Sequence, residues 1–370
     1  MHSMTRPERV VSGDSVVKPT NAAVAVTTQL LLTAWLCVVA PAKAIHFSDT
    51  TCSIADKSAG VETTVAAEET SGADTAGADS TYHNPQIKVA LVLGGGGARG
   101  ASHVGVLKVL KEANIPFHLV VGTSMGAIVG GFYCAGLPLS DIEEMFTKRK
   151  LMKSYMSAKL AVRLVTMPIF IMPRLVYHPY DGLYWGVRFR HFLNKHLPDD
   201  EKLIEELKIP YAAVAVDLVS GKAETLNKGL LYQAMQASSA VPGLRKPIQI
   251  GDGLFVDGGV LANVPVEQAT ELGADVVIAV NADEKMQEVP IKTFRKMGSV
   301  SRRMVTLQLD TLDRPHVNKA CVIIHPDVTG IGLLSTSKRD AVRAIKAGED
   351  AARQALPEIK RCLNDAGVKF

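Results

Sequence analysis

The sequence is poor in cysteine, in aromatic residues and in net charge, and each shortage excludes a class of site or partner. Five cysteines are spread over 370 residues with no C-x-x-C pair and no Cys/His ligand spacing, so a zinc site is not expected. The formal net charge is only +4, and no basic stripe is interleaved with aromatic residues, so nucleic acid is not expected as a partner. Hydrophobic content of 47% with 21% charged residues is typical of a globular protein.

The longest apolar run near the N-terminus, residues 30–40, is also shorter than the roughly 20 residues that a membrane-spanning helix needs. Basic residues precede it, and Pro41 is followed by the small-x-small sequence AKA, which signal peptidase accepts. We therefore expect residues 1–44 to be an export signal, with an uncleaved signal anchor as the alternative. Export predicts a location in the periplasm or cell envelope.

Residues 45–84 lack the side chains needed for a core. They consist largely of Ala, Thr, Ser, Gly, Asp and Glu, which bury too little apolar surface to offset their ordering entropy. We expect a flexible tether there and a folded domain over residues 85–370. Within that domain, Cys134 is expected to be a small buried thiol, and a disulfide between Cys321 and Cys362 is neither required nor forbidden.

Two glycine-rich motifs each follow a short apolar run. GGGGARG (residues 94–100) follows KVALVL, and GTSMG (residues 122–126) follows FHLVV. Such runs without polar alternation are typical of buried parallel strands. Residues 101–113 between them carry apolar side chains at helical spacing, and strands separated by helices predict a parallel sheet covered on both faces.

Further elements follow the same alternation. Strands are expected at 211–216, 255–256, 276–280 and 321–324, and helices at 266–272 and 338–363. Ser140, with Glu143 three residues later, predicts a capping box at the start of another helix. Residues 148–180 mix basic side chains with a dense apolar run, which indicates contact with a lipid interface or, alternatively, a cap packed over the core.

The second glycine motif fits the nucleophile elbow G-x-S-x-G, in which small flanking residues permit the sharp turn that exposes Ser124. The first motif offers free backbone N–H groups suited to an anion. A dinucleotide phosphate is the alternative ligand for such a loop, but it calls for an acidic residue at the end of the second strand, where the chain has GTS.

Ser124 needs a base, and one carboxylate lies in a glycine-punctuated loop at a predicted strand end. Asp257, in the sequence DGG, directly follows the run LFV. Its glycines permit a sharp turn and a close approach to another loop. The alternative is a Ser-His-Asp arrangement using His316 or His325, which lie in no comparable loop. His103 is expected on a helix face near the site, and Ser238 and Ser239 are expected to cap or line a helix.

Together the three motifs resemble those of the patatin-like phospholipases, including bacterial proteins akin to the catalytic domain of neuropathy target esterase. The stretches ASSAVPG (237–243) and NVPV (263–266) are also similar to family sequence, and the resemblance runs from about residue 88 to residue 280. It implies a three-layer α/β/α fold with a mainly parallel central sheet.

The resemblance also implies a Ser124–Asp257 dyad that hydrolyses esters of phospholipids or lysophospholipids at a membrane surface. It implies neither metal nor organic cofactor, so calcium should be dispensable. A non-enzymatic lipid-binding or scaffold protein on the same fold is the remaining alternative. Besides the dyad, the implied site residues are an oxyanion loop of Gly95, Gly96, Gly97 and Arg99, where Arg99 adds charge or fixes the loop, and the motif glycines Gly100, Gly122, Gly126, Gly258 and Gly259.

Overall fold

The structure, a computed structural model, describes residues 87–156, 182–198, 202–295 and 299–369. The expected export signal and tether lie outside the described residues, and so does most of the segment 148–180. Within the described ranges, no helix is both long enough and apolar enough to cross a bilayer.

One sheet organises the described chain, in the order β5-β6-β3-β2-β1-β7-β8, with β4 paired to β3. The pairs β1–β2, β1–β7, β2–β3 and β7–β8 are parallel, whereas β3–β4, β3–β6 and β5–β6 are antiparallel. The strands are β1 Val89–Leu93, β2 Leu119–Thr123, β3 Tyr211–Asp217, β4 Lys222–Leu226, β5 Ile248–Ile250, β6 Gly253–Asp257, β7 Val276–Val280 and β8 Val322–Ile324.

Helices cover both faces of the sheet, which confirms the three-layer α/β/α fold with a mainly parallel sheet. In β1, Val89, Leu91 and Leu93 pack into one apolar cluster, while Ala90 and Val92 pack into another on the opposite face. Successive side chains of a strand point to opposite faces, so a strand buried on both must be apolar throughout. The helices are α1 Ser102–Glu112, α2 Met125–Cys134, α3 Leu139–Thr147, α4 Lys150–Tyr155, α5 Val187–Lys195, α6 Leu231–Ser238, α7 Val266–Glu271, α8 Ser299–Val317 and α9 Lys338–Asp365.

The structure confirms the strands and the terminal helix expected from apolar spacing, but the expected capping box is wrong. Helix α3 begins at Leu139 after Pro138, with no side-chain cap, and the Ser140 hydroxyl donates to the adjacent Asp141 carboxylate at 3.1 Å. Because the helix starts two residues earlier than expected, Ser140 lies inside its first turn. The fixed φ of Pro138 sets the entry to the helix instead.

The cysteines of the described residues are one free thiol and one disulfide pair, both of which the sequence allowed. Cys134 is buried in α2, and burial raises the pKa of its thiol well above the usual range. Cys321, directly before β8, and Cys362, on α9, form a disulfide with their Cα atoms 6.4 Å apart. The bridge ties the last strand of the sheet to the terminal helix.

Candidate active site

Ser124 occupies the sharp turn between β2 and α2. Its φ of 53° and ψ of −117° are strained for a residue with a side chain. The flanking glycines allow this turn, because a Cβ at Gly126 would lie 2.0 Å from the carbonyl oxygen of Leu93 and one at Gly122 would lie 2.6 Å from the backbone nitrogen of Ala127. Ser124 therefore stands on a nucleophile elbow, as the G-x-S-x-G motif predicts.

Asp257 is the last residue of β6, which runs antiparallel to β3 and therefore opposite to β2. Val214 of β3 pairs with Thr123 of β2, and the next β3 residue, Ala215, pairs with Asp257 of the antiparallel strand β6. The end of β6 therefore arrives beside the carboxyl end of β2. The Ser124 hydroxyl donates a hydrogen bond to Asp257 Oδ2 at 2.6 Å.

The environment of Asp257 makes it a stronger base than an ordinary carboxylate. The side chain is 5% exposed, and burial raises its pKa to about 6, against the lowering effect of hydrogen bonds from the Ser124 hydroxyl and the Gly259 N–H. The Gly259 N–H donates to Oδ1 at 2.8 Å, which leaves Oδ2 directed at Ser124. At neutral pH the carboxylate is ionised and can accept a proton.

The histidines contact other groups. His316 Nδ1 lies 3.1 Å from a carboxylate oxygen of Glu267, and His325 Nε2 donates to the backbone oxygen of Asp283 at 2.9 Å. His103 is fully buried on α1, where its Nε2 donates to the Gly94 carbonyl at 2.8 Å and burial lowers its pKa to about 4. His103 thus contacts the glycine loop as a neutral side chain.

The glycine loop differs from expectation at Gly95. The Gly95 N–H, predicted as an oxyanion donor, donates to the carbonyl oxygen of Asn263 at 3.0 Å and is therefore occupied. Among the described residues, no acceptor contacts the N–H groups of Gly96 and Gly97, and both residues line the cavity at Ser124. Their φ values of 153° and 56° suit glycine.

Arg99 is turned toward the body of the domain. Its Nε donates to the Ile331 carbonyl at 2.7 Å, its Nη2 lies 3.0 Å from Glu284 Oε1, and its Nη1 lies 3.6 Å from Asp283 Oδ1. The side chain is 5% exposed. Of the two roles expected for Arg99, these contacts favour fixing the loop.

The remaining motif glycines are close-packed. A Cβ at Gly100 would lie 2.5 Å from the Met125 side chain, and a Cβ at Gly258 would lie 2.3 Å from the carbonyl oxygen of Val214. Each therefore lets its loop approach the elbow or the strand beside it.

Sequence reasoning missed three polar residues that support the site. Ser238 accepts a hydrogen bond from the Ser124 N–H at 2.9 Å and donates to the Val214 carbonyl at 2.6 Å. Asn263 donates from Nδ2 to Asp283 Oδ2 at 2.7 Å, and burial raises the pKa of Asp283 to about 6. The signal for Ser238 and Asn263 was the family-like sequence around them. From that sequence, Ser238 was expected only to cap or line a helix, and Asn263 was given no role.

An apolar cavity of about 190 Å³ opens beside the dyad. Ser124, Asp257 and the glycine loop form its polar end. Its apolar walls come from α4, α8 and the loops before β5 and after β8, and include Met152, Tyr155, Val241, Leu244, Val305, Leu309, Leu333 and Leu334. A nucleophile, a base and N–H donors beside an apolar wall suit attack on a carbonyl that carries an apolar chain.

No three side chains of the His, Cys, Asp and Glu types converge as a metal site in the part of the chain that the structure describes.

The chain is similar to proteins of one family. A model described as patatin-like phospholipase matches residues 91–270. Patatin-like phospholipase domain-containing protein 6 of Mus musculus is 34% identical over 208 residues, which are 56% of this chain and 14% of that protein. Lysophospholipase nte1 of Aspergillus fumigatus is 28% identical over 295 residues, 74% of this chain and 18% of that protein.

The chain spans less than a fifth of the length of these curated relatives. Among solved structures, VipD from Legionella pneumophila is 18% identical, with 74% of this chain and 67% of that chain covered and a TM-score of 0.41. The matched region 91–270 contains the glycine loop, Ser124 and Asp257. Through that region, the chain is similar to the patatin-like phospholipase family.

Proposed function

We propose that the chain is a serine acyl hydrolase that cleaves carboxylic ester bonds of phospholipids or lysophospholipids through the Ser124–Asp257 dyad. The observation that carries the proposal is the 2.6 Å hydrogen bond from the Ser124 hydroxyl to Asp257 Oδ2 at the end of an apolar cavity. The names of the relatives, patatin-like phospholipase domain-containing protein and lysophospholipase, support the substrate class.

The first half of the reaction forms an acyl-enzyme. Ser124 Oγ bonds to the ester carbonyl carbon while its proton passes to Asp257 Oδ2, and the carbonyl oxygen takes the negative charge. The N–H groups of Gly96 and Gly97 are the available donors to that oxygen. The N–H of Met125, the first residue of α2, adds a donor because the first turn of a helix has no earlier acceptor. The carbon–oxygen ester bond then breaks, and the leaving alkoxide takes the proton from Asp257.

The second half restores the enzyme. Water attacks the acyl carbon on Ser124 while Asp257 accepts a proton from the water. When the bond to Oγ breaks, the proton returns to Ser124 and the fatty acid leaves. The raised pKa of Asp257 suits both halves, because a carboxylate with a pKa of about 6 binds a proton more readily than one near 4.

The proposed substrates place the reaction at a lipid surface, and we propose membrane-surface contact as part of the function. We also propose that the chain is exported. The disulfide between Cys321 and Cys362 supports export, because disulfides persist mainly in oxidising compartments.

Fatty-acid release by the full chain from vesicles of phosphatidylcholine or lysophosphatidylcholine tests the proposal. We expect Ser124→Ala and Asp257→Asn each to lower the rate by more than about a thousandfold, because each removes a reacting group. Ser140→Ala is the matched control, since Ser140 is an exposed serine that contacts Asp141.

The other readings give different results. Loss of activity in His325→Ala or His316→Ala with activity retained in Asp257→Asn would establish the Ser-His-Asp reading. No release by the wild-type chain from either lipid would favour a lipid-binding or scaffold protein.

A further inference from the structure

Helix α8 presents apolar side chains on two different faces. Val305 and Leu309, four residues apart, line the cavity beside the dyad. Val300, Met304 and Leu307 lie at the i, i+4 and i+7 spacing of another face and are 54%, 44% and 44% exposed. A helix in water normally shows its polar side chains on the face that the core does not cover. The outer face of α8 therefore lacks a cover in the described residues.

The turn before α8 extends this exposed apolar surface. The 3-10 turn Ile291–Arg295 packs against α8, and Ile291 is 88% exposed. Val289 precedes it and is also exposed. We call Val289, Ile291, Val300, Met304 and Leu307 the apolar rim.

Basic side chains accompany the apolar rim. Lys285, Lys292 and Arg295 are exposed on the segment before α8, and Arg303 on α8 donates to the backbone oxygen of Gln287 at 2.6 Å. Glu288 is the only acidic residue between positions 285 and 309. Apolar side chains surrounded by cations are the chemistry that binds an anionic lipid surface.

We propose that the apolar rim, with these basic side chains, seats the domain on a bilayer that contains anionic phospholipid. This inference rests on the proposed function, because it names the surface through which the hydrolase meets its substrate. The position of the rim next to the cavity supports the inference, because α8 carries part of the rim on one face and part of the cavity wall on another. A lipid acyl chain leaving the bilayer would reach the cavity along the same helix. The surface differs from the segment 148–180, for which the sequence pattern left lipid contact and a cap over the core as alternatives.

Vesicle binding by the full chain carrying Ser124→Ala tests the inference without hydrolysis. We expect Met304→Asp with Leu307→Asp to weaken binding to vesicles of phosphatidylcholine and phosphatidylglycerol by at least about tenfold. In this variant, charged side chains replace the apolar side chains that would contact the acyl region of the bilayer. Lys292→Glu with Arg295→Glu should weaken binding by a similar factor and lower its salt sensitivity. Val219→Asp is the matched control, because Val219 is 71% exposed at the β3–β4 turn and lies outside the cavity. Unchanged binding in both double variants would overturn the inference.

A local measurement separates the rim from any other part of the chain that binds lipid. In the Met304→Trp variant, brominated acyl chains should quench the new indole, whereas in Val219→Trp they should not. Equal quenching at the two positions, or none at position 304, would overturn the inference. Light scattering that shows a dimer in the parent and a monomer in the Met304→Asp, Leu307→Asp variant would assign the rim to a second copy instead.

Hydrolysis distinguishes failure of this inference from failure of the proposed function. With Ser124 intact, the Met304→Asp, Leu307→Asp variant should lose vesicle hydrolysis by about the factor seen in binding and keep its rate on a soluble short-chain ester. Wild-type chain that hydrolyses neither substrate but binds vesicles through the rim would refute the hydrolase and leave the surface standing. Vesicle hydrolysis that survives both double variants would refute the surface and leave the hydrolase.

Discussion

The buried carboxylate of Asp257 predicts a variant that loses activity and gains stability. Burial raises the pKa of Asp257 from 3.8 to about 6, so keeping the group ionised inside the folded protein costs free energy. The gap between the two pKa values corresponds to on the order of 3 kcal/mol of unfolding free energy. Asp257→Asn removes the charge, keeps an oxygen for the Gly259 N–H and supplies an amide NH2 that can donate to the Ser124 oxygen.

The sign follows from the direction of the pKa change. A folded-state pKa above the unfolded value means that the folded protein binds the proton more tightly. The contribution of Asp257 to stability is therefore fully present below pH 3.8 and is lost as the pH rises through about 6. Above that pH, we expect Asp257→Asn to be more stable than the wild type by up to about 3 kcal/mol, and near pH 4 the difference should be close to zero.

Urea unfolding of the full chain and of Asp257→Asn across this pH range measures the difference directly. The comparison between the two proteins cancels the contributions of Asp283 and Asp313, whose pKa values burial also raises. A variant that is less stable than the wild type at neutral pH would refute the reasoning. So would a stability difference that does not change with pH.

The same pKa sets the acid limb of the activity. With a pKa of about 6, about a tenth of Asp257 is ionised at pH 5, whereas an ordinary aspartate would remain about nine-tenths ionised. We therefore expect the rate of ester hydrolysis to fall about tenfold between neutral pH and pH 5. A flat rate over that range, in protein shown to remain folded, would contradict the role of Asp257 as the base.

Three further predictions concern the supports of the site. Gly126→Ala should destabilise the protein by several kcal/mol because its Cβ would lie 2.0 Å from the Leu93 carbonyl, whereas Gly332→Ala, with open space around it, should leave the thermal midpoint unchanged. Arg99→Met should lower the rate of ester hydrolysis at least about tenfold, because the glycine loop loses its anchor and the carboxylates of Asp283 and Glu284 lose their cationic partner. An unchanged rate would contradict the anchoring role. Oxidised chain should show two fewer alkylated cysteines by mass than reduced chain, and reduction should lower the thermal midpoint if Cys321 and Cys362 are joined.

The sequence identifies the strands that are buried on both faces and fails at the sheet's polar edge. VALVL and VVIAV are apolar throughout because β1 and β7 lie inside the sheet, so their sequences predict them. KAETL of β4 is polar and partly exposed, and IQI of β5 has only three residues. Neither resembles a buried strand, so β4 and β5 were not predicted, whereas the apolar core of β6 was.

The dyad was predictable for a related reason. Ser124 and Asp257 each follow an apolar run and are flanked by glycines, so both were recognisable as strand-end loop residues before any contact was known. What the sequence did not show was that β6 runs against its neighbours, which is how Asp257 arrives beside Ser124. Helix α8 was missed because its two apolar faces do not form the single stripe that marks an amphipathic helix.

The contacts of Asn263 explain why the Gly95 N–H, one of the expected loop donors, is occupied. Its backbone oxygen accepts from Gly95, its Nδ2 donates to Asp283, and its N–H donates to Asp313 at 3.1 Å. Asn263 therefore joins the loop after β1 to the segment after β7, two stretches that lie more than 180 residues apart in the chain.

Backbone bonds of this kind leave no pattern in a single sequence, because any residue has the N–H that Gly95 uses. They nevertheless bear on the hydrolysis that we propose. Gly95 is held by Asn263, and Arg99 is held by Asp283 and Glu284, so the loop is anchored on both sides of Gly96 and Gly97. Donors fixed in advance stabilise a developing oxyanion more than donors that must reorganise. For the hydrolysis that we propose, the polar residues around the loop therefore serve to fix the donors in position.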